Sequence, residues 1–230
     1  FTDAQITLYE RCGRRFFYTH LLRIGGRRAT TPYMRLHEAV RAVLDAHMRS
    51  ADSPEDLAVR GDDDRGRPSD DTLPEPLEGQ LAAALRAQAL DGHGYADEYR
   101  RLARAMIRYF LAARRGHRPA TRDPVTLRIG DDEIVVRPDE LLVRADGTPV
   151  LRSVRTGHQR SHDVKSVGAA ALLLGAREIA PSAVVEFVHL GDETTTEVAL
   201  SPRELANRRE KLDGFMRAVR AGQFPAEVSS

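Results

Sequence analysis

The side chains with the clearest chemical potential are one histidine, one aspartate and a short polar segment, all distant in sequence. His37 lies in the middle of an apolar face with helical spacing, and Asp139 stands between two short apolar runs. Ser153 and Arg155 end the next run. Imidazole and carboxylate groups bind metals, but Mg²⁺ usually takes hard oxygen ligands, so His37 and Asp139 alone make a poor magnesium site. A lone helical histidine is more often a packed or surface residue than a ligand.

Other motifs exclude several classes of enzyme. The sequence contains no GxxxxGK[ST] phosphate loop, no GxSxG elbow and no HExxH pair, which argues against an ATPase, a serine hydrolase of that type and a zincin. Cys12 is the one cysteine, which excludes a disulfide framework and a self-contained Cys-rich zinc module.

Composition indicates a globular protein. The 230 residues carry a formal net charge of +1, with 41% hydrophobic and 30% charged residues, which is enough for a buried core and one or two domains. No run reaches about 18 apolar residues and no signal peptide opens the chain, so we expect a soluble cytoplasmic protein without a membrane partner. Of the 35 basic residues, all but Lys165 and Lys211 are arginine, which fits either phosphate recognition or a GC-rich coding bias.

The candidate site residues named first, from His37 to Arg155, must be positioned by helices in the first half of the chain and by strands in the second half. Apolar spacing predicts helices over about 2–22, 32–48, 77–90 and 95–115, with a mobile loop at about 50–78 that is rich in Pro and Asp. From 119 onward, short apolar runs at 125–129, 134–136, 141–143 and 150–154 predict a small antiparallel meander. A helix over 164–179, strands at 184–190 and 195–200, and a last helix opened by Ser201 and Glu204 follow.

The order of elements predicts an α/β (α+β) fold. We expect one domain over 1–230, with a mainly helical annex at 1–118 and the meander and α/β core at 119–230. Because the sequence starts at Phe1 without Met, we expect a fragment of a longer protein.

Several short motifs, in this order, resemble the PD-(D/E)XK nuclease superfamily, in particular its RecB/AddB-type branch attached to UvrD/Rep-like helicases. The resemblance covers nearly the whole chain, and its motifs are the opening helix at 7–18, GxxH at Met34–His37, GxxD at Val136–Asp139, DxKTG at Ser153–Gly157, QxxxY at Gly168–Leu172 and GxFPA at Gly222–Ala226. It implies a restriction-endonuclease-like core with a small mixed central sheet flanked by helices. It also implies that Asp139, Ser153 and Arg155 meet beside His37.

In that family the histidine and two acidic residues hold Mg²⁺ or Mn²⁺, and a lysine orients the attacking water. This sequence keeps His37 and Asp139 but has Ser153 for the second acid and Arg155 for the lysine. The glutamine and tyrosine positions hold Gly168 and Leu172. Loss of DxK predicts a domain without nuclease activity and with no cofactor.

Two interpretations of the retained pair remain open. His37 and Asp139 are either relics, bonded to each other or to Arg155, or a residual Mg²⁺ or Mn²⁺ site. Glu140 is discounted as a substitute ligand because strand alternation directs it to the opposite face. Cys12 stands where many relatives begin a [4Fe–4S] cluster, which would require three further cysteines after residue 230.

Arginine-rich stripes suggest that the domain binds DNA without sequence specificity, although solvated faces balanced by acids explain them equally well. The candidates for DNA binding are Arg11, Arg14, Arg15, Arg101, Arg104 and Arg108. The sequence therefore predicts an inactive RecB-like domain of a DNA-repair helicase–nuclease, which guides DNA or acts as a scaffold beside a helicase domain or partner subunit. The alternatives are an active Mg²⁺- or Mn²⁺-dependent exonuclease with a shifted ligand set and a purely structural docking domain.

Overall fold

The computed structural model describes residues 1–24, 30–51, 72–120 and 124–226. Within them the helices are α1 (Asp3–Arg11), α2 (Gly13–Phe16), a π-helical turn (Phe17–Leu21), α3 (Pro32–Ala51), α4 (Glu75–Ala87), α5 (Ala96–Ala113), a 3₁₀ turn (Asp163–Lys165), α6 (Val167–Ile179) and α7 (Pro202–Arg220). The strands are β1 (His117–Pro119), β2 (Val125–Ile129), β3 (Asp132–Val136), β4 (Glu140–Arg144), β5 (Pro149–Arg155), β6 (Val184–His189) and β7 (Thr194–Glu197).

Most of the loop predicted at about 50–78 lies outside the described residues. Its last part is helical, because α4 begins at Glu75 with Pro76 in its first turn. Proline is tolerated there, since the first N–H groups of a helix have no partner within the helix.

The central sheet is mixed and has the strand order β1-β4-β5-β6-β7. β5 and β6 are parallel and are connected through α6, whereas the other neighbours are antiparallel. This arrangement confirms the predicted mixed α/β fold with a small sheet flanked by helices.

The predicted meander is wrong in one respect. β2 and β3 pair with each other as a separate two-stranded sheet, whereas β4 joins the central sheet between β5 and the unpredicted strand β1. The segment Arg137–Pro138–Asp139 separates β3 from β4. Pro138 cannot donate a ladder hydrogen bond, so the chain leaves the hairpin there and starts a new strand elsewhere.

Two apolar clusters cover opposite faces of the central sheet. One contains α6, the β2–β3 hairpin, α1 and α7, packed around Leu151, Val185 and Phe187. The other contains α3, α4 and α5, packed on Val154 and Val188. Because side chains alternate along a strand, Ser153 and Arg155 share the first face with Leu151.

Buried charges lie at the side of the sheet that carries α3, α4 and α5. Arg152 on β5 is 1% exposed and donates through Nε and Nη2 to Glu186 on β6, at 3.1 and 2.6 Å. Glu186 also accepts from Arg144 at 2.7 Å. Glu140 lies 2.7 Å from Nε of Arg114 and 3.7 Å from Nη1 of Arg152. Each buried acid is thus matched by arginine.

The first helices pack against the last one. Thr2 and Gln5 form a capping box that starts α1. Tyr9 contacts the ring of Phe215 at 4.7 Å between centroids and donates its hydroxyl to the carbonyl of Gln223 at 3.0 Å. The N–H of Arg14 donates to the carbonyl of Pro225 at 3.0 Å. These contacts form a clasp between the α1–α2 segment and residues 215–225.

Candidate functional site

Helix α3 carries two polar residues on the side that meets the end of β5. His37 and Arg41 are four residues apart, which places them on the same helix face one turn from each other. The face also bears Val40 and Leu44, which are buried against the helical cluster and hold α3 against the sheet. Packing therefore directs both polar side chains toward the loop that enters β4 and toward the C-terminal end of β5.

Asp139 is held by Arg41. Its Oδ1 pairs with Nη2 of Arg41, and its Oδ2 accepts from the N–H of Val154 at 2.6 Å. The N–H of Asp139 donates in turn to the carbonyl of Arg152 at 2.9 Å. Although burial opposes it, the hydrogen bond and charge of Asp139 keep the pKa of Arg41 above its ordinary value.

Arg41 also joins α3 to the strand. Its Nη1 donates to the carbonyl of Val154 at 2.9 Å, and its Nε pairs with Asp45 at 3.0 Å. The guanidinium thus bridges the carboxylate and the strand backbone and sits where a cation bound by Asp139 would sit.

The residues at this position do not fit a divalent metal ion. Both oxygens of Asp139 are already engaged, and the position of the second acid holds the neutral hydroxyl of Ser153. Among the described residues, no group of three or more His, Cys, Asp or Glu side chains is arranged to hold a metal ion. Mg²⁺ and Mn²⁺ prefer several oxygen ligands, so a guanidinium is the better match for the one carboxylate here.

His37 lies at the same end of β5. Its imidazole is hydrogen-bonded to the backbone of Thr156. The ring of Tyr33 contacts the imidazole edge-on, with 4.3 Å between centroids. Burial and the nearby charge of His158 lower the pKa of His37, whereas the bond to Thr156 opposes the shift. His158 is itself held by Asp192, with 2.6 Å between Nδ1 and Oδ1. His37 is therefore a neutral imidazole near neutral pH.

Arg155 stands at the lysine position of the motif, and its side chain is bound to partners on the other face of the strand. Its guanidinium lies over the ring of Phe187, 4.2 Å from the centroid, and pairs with Asp163 at 3.2 Å. Ser153 stands opposite Phe187 in the parallel register. The structure thus brings Asp139 and His37 to the end of β5 through Val154 and Thr156, while Ser153 and Arg155 share the other face of the strand, so the expected meeting of all three side chains beside His37 is not found.

Gly168 and Leu172 both lie on α6 and are buried, with Leu172 only 3% exposed in the core beneath the sheet. Neither position supplies a polar side chain to the site.

The candidate DNA-binding arginines fall into two groups. On α5, Arg101 pairs with Glu98 at 2.6 Å, and Arg104 donates to Glu78 through both Nε and Nη2. Much of the charge of these two arginines is therefore matched within the protein. Arg108 has a partner as well. On α1 and α2, by contrast, Arg11, Arg14 and Arg15 are all exposed.

Cys12 has a local structural role. It separates α1 from α2, and its Sγ accepts from the N–H of Arg15 at 3.4 Å. One cysteine cannot supply the four thiolates of a [4Fe–4S] cluster, so these 230 residues do not hold one alone. No helix of the described ranges is both long and apolar enough to cross a membrane.

The central sheet is mixed and five-stranded with helices on both faces, and the polar cluster with His37 lies at the end of its central strand. This arrangement is consistent with the PD-(D/E)XK fold. The family model of the PD-(D/E)XK nuclease superfamily matches residues 1–230. The chain belongs to that superfamily, which implies an interaction with nucleic acid. No curated protein matches the sequence.

Sequence reasoning missed Arg41, although a signal for it exists. Arg41 follows His37 by one helical turn, so any contact of His37 with the site also brings Arg41 near Asp139. The partner of Arg155 was also missed, because Asp163 comes after the strand in an irregular segment that carries no pattern.

Proposed function

We propose that this chain is a RecB-like nuclease domain that has lost its chemistry and serves a DNA-repair helicase–nuclease by binding and guiding DNA. The observation that carries the proposal is the guanidinium of Arg41 on Asp139. A cation that is part of the polypeptide takes the place that a metal ion would occupy on Asp139.

Arg155 supports the same proposal. A catalytic lysine needs an amine that can reach a water molecule, whereas the guanidinium of Arg155 does not deprotonate at biological pH. Its contacts with Phe187 and Asp163 also hold it against the sheet. The arrangement supports a structural role at this position and no proton transfer.

For DNA binding, the exposed arginines of α1 and α2 are better candidates than those of α5. Phosphate contacts require cations whose charge is available to solvent, and Arg14 and Arg15 meet that condition. Arg101 and Arg104 are bound to acids of the same protein and would have to break those pairs first.

The experiment incubates the purified chain with single-stranded and double-stranded DNA in the presence of Mg²⁺ or Mn²⁺. We expect intact DNA and binding that weakens with salt. The Arg14→Ala, Arg15→Ala double variant should lower the slope of log K against log salt by about 1.4 for single strands, since each lost contact contributes about 0.7. The control variant Arg100→Ala, Arg101→Ala removes the same charge from ion-paired positions and should change the slope less.

Two outcomes would contradict the proposal. Degradation of DNA that disappears in Asp139→Ala would favour an active exonuclease, whose metal would then need ligands from outside the group described above. Absence of binding even at low salt would favour the docking alternative.

A specific observation supports docking as the second candidate function. Four apolar side chains beside the clasp are 44–65% exposed, namely Tyr18, Leu21, Leu22 and Ile24.

A further inference from the structure

A cleft of about 530 Å³ opens on the side of the sheet opposite to α3, α4 and α5. Its walls come from α1, the end of β5, the 3₁₀ turn, the N-cap residue of α6 and the middle of α7. The lining residues are Thr7, Glu10, Arg11, Arg155, Ser161, His162, Asp163, Lys165, Ser166, Arg208 and Lys211. Its volume lies within the range of small-ligand sites, about 300–1,000 Å³.

The cleft concentrates positive charge. Five cations line it. They include Lys165 and Lys211, and the sequence contains no other lysine. The two carboxylates in the lining are used by the protein itself. Glu10 accepts from the N–H of Val167 at 3.0 Å, and Asp163 pairs with Arg155 and accepts from the N–H of Arg160.

The remaining cations face the cleft without a matched acid. Within the described residues, the side chains of Arg11, Lys165 and Lys211 form neither an ion pair nor a hydrogen bond, and Nε of Arg208 is buried without a hydrogen-bond partner. Glu204 is close enough to Lys165 and Arg208 for their charges to lower its pKa, after the larger effect of its hydrogen bonds from Ser201. Its carboxylate is therefore already bound at the start of α7.

A second, independent feature lies beside Arg155, which lines the cleft. His189 on β6 lies in register with Arg155 on the same face of the sheet. Its side chain is 0% exposed, yet neither of its ring nitrogens has a hydrogen-bond partner among the described residues. Burial and the charge of Arg155 lower its pKa, against the opposing effect of Asp163 and Asp192, so the ring is neutral. A neutral imidazole still offers one donor and one acceptor.

The first turn of α6 adds to the field. Helix α6 has 13 residues, and its N-terminal N–H groups and dipole favour anions at that end. Glu10 already takes the N–H of Val167, which shows that this end accepts an oxygen ligand from another part of the chain.

We infer that this cleft binds a phosphate group of a nucleic acid backbone, held by Arg11, Lys165, Arg208 and Lys211. A phosphate oxyanion matches unpaired cations that converge from three separate elements, and both residue types bind phosphate, Arg through a fork of donors and Lys as a point charge. The inference rests on the proposed binding of DNA, and it places that binding at residues which the sequence stripes did not include. The same chemistry would accept the phosphate of a free nucleotide.

The test uses the lysines as reporters. Because Lys165 and Lys211 are the chain's lysines, acylation with a lysine-selective reagent followed by mass spectrometry reports on this cleft. We expect a short oligothymidylate to slow the acylation of both lysines, and inorganic phosphate and ATP to do so only at much higher concentration. Protection by ATP at concentrations as low as those of the oligonucleotide would identify a nucleotide site and overturn the assignment to a nucleic acid backbone.

A charge-matched pair of variants supplies the second readout. Lys165→Gln, Lys211→Gln removes two exposed cations from the cleft, and Arg203→Gln, Arg209→Gln removes two exposed cations of α7 that do not line it. Raising the salt from about 50 to 200 mM lowers the affinity for the oligonucleotide. This decrease should be about sevenfold smaller in the first variant than in the unaltered chain, since two contacts that each add about 0.7 to the slope of log K against log salt are lost. The second should behave as the unaltered chain does.

The results separate this inference from the proposed function. If the oligonucleotide binds, but both lysines stay reactive and the two variants lose affinity equally, the cleft is not the site while DNA binding stands. If no oligonucleotide binds under any condition, the proposed function fails first, and unprotected lysines in phosphate would overturn the cleft as an anion site as well.

Discussion

Replacing Arg41 by methionine isolates the contact that distinguishes this site. Methionine keeps a long apolar stem but removes the guanidinium from Asp139, from the carbonyl of Val154 and from Asp45. Asp139 is 18% exposed and Arg41 is 37% exposed, so the charged hydrogen bond is only partly shielded from water. The bond to Asp139, the bond to the carbonyl and the exposed pair together predict a loss of about 3 kcal/mol in the free energy of unfolding.

That loss corresponds to a decrease of roughly 6–12 °C in the melting temperature of a chain of this size. Urea unfolding followed by circular dichroism measures the free energy, and thermal unfolding gives the temperature. Arg49→Met provides the control, because Arg49 lies on the same helix and is exposed. Its effect should stay within about 0.5 kcal/mol.

A double-mutant cycle with Asp139→Asn separates the ion pair from the other contacts. Asparagine retains an oxygen for the N–H of Val154, so the coupling between the two substitutions reports on the guanidinium and the carboxylate, and we expect about 2 kcal/mol. Equal stability of Arg41→Met and Arg49→Met would refute the reasoning. So would a stabilisation of the unaltered chain by Mg²⁺ that Asp139→Asn removes, because Asp139 would then hold a metal ion.

Further predictions concern buried charge and close packing. Although burial opposes it, hydrogen bonds from arginines lower the pKa of Glu186 below its ordinary value of 4.5. Its stabilising contribution is therefore complete above about pH 4.5 and is lost as the pH falls through the lowered pKa. When the free energy of unfolding is measured against pH, its decrease toward acid pH should be shallower in Glu186→Gln than in the unaltered chain. Arg152→Met should cost about 3–5 kcal/mol in urea unfolding, because it leaves buried acids without their cation, and a loss near zero would contradict that ion pairing. Gly13→Ala should cost about 1–3 kcal/mol, since its Cβ would meet Pro225 at 3.0 Å, whereas Gly79→Ala in open space should stabilise α4 by about 0.5–1 kcal/mol; equal midpoints for these two variants would contradict the close contact.

The parts of the fold that followed from sequence are those specified by local chemistry. The last helix is an example: Ser201 and Glu204 form the predicted capping box, and Pro202 occupies the first turn. These residues satisfy orphan N–H groups within four positions of each other, so the signal needs no tertiary context. The apolar runs of β2 to β6 were detectable for the same reason.

Pairing partners were less predictable. β1 consists of His117, Arg118 and Pro119, with no apolar alternation, and it is a strand only because β4 lies beside it. Pro138 ends the β2–β3 hairpin locally, but the sheet that β4 then joins depends on α6, which packs on the hairpin and on the central sheet. Such choices are decided by contacts between distant segments, which no local pattern contains.

The candidate site shows the same division. The resemblance in sequence identified the positions of His37 and Asp139, and the structure places both at the end of β5. Which cation Asp139 would bind depended on the direction of α3 across the sheet. The cleft depended on five elements, and the two lysines that mark it are 46 residues apart in the sequence.

The clasp has a consequence for synthesis of the chain. Tyr9 bonds to Gln223 across a separation of 214 residues, and Phe17 stacks on Phe224. At about 5–20 residues per second, a ribosome needs roughly 10–40 s to deliver the second partner after the first. During that interval the aromatic side chains of the first helices have no lasting cover, and closing so long a loop is entropically costly. The contacts of the first helices with residues 215–225 are therefore among the last to form, although those helices are synthesised early.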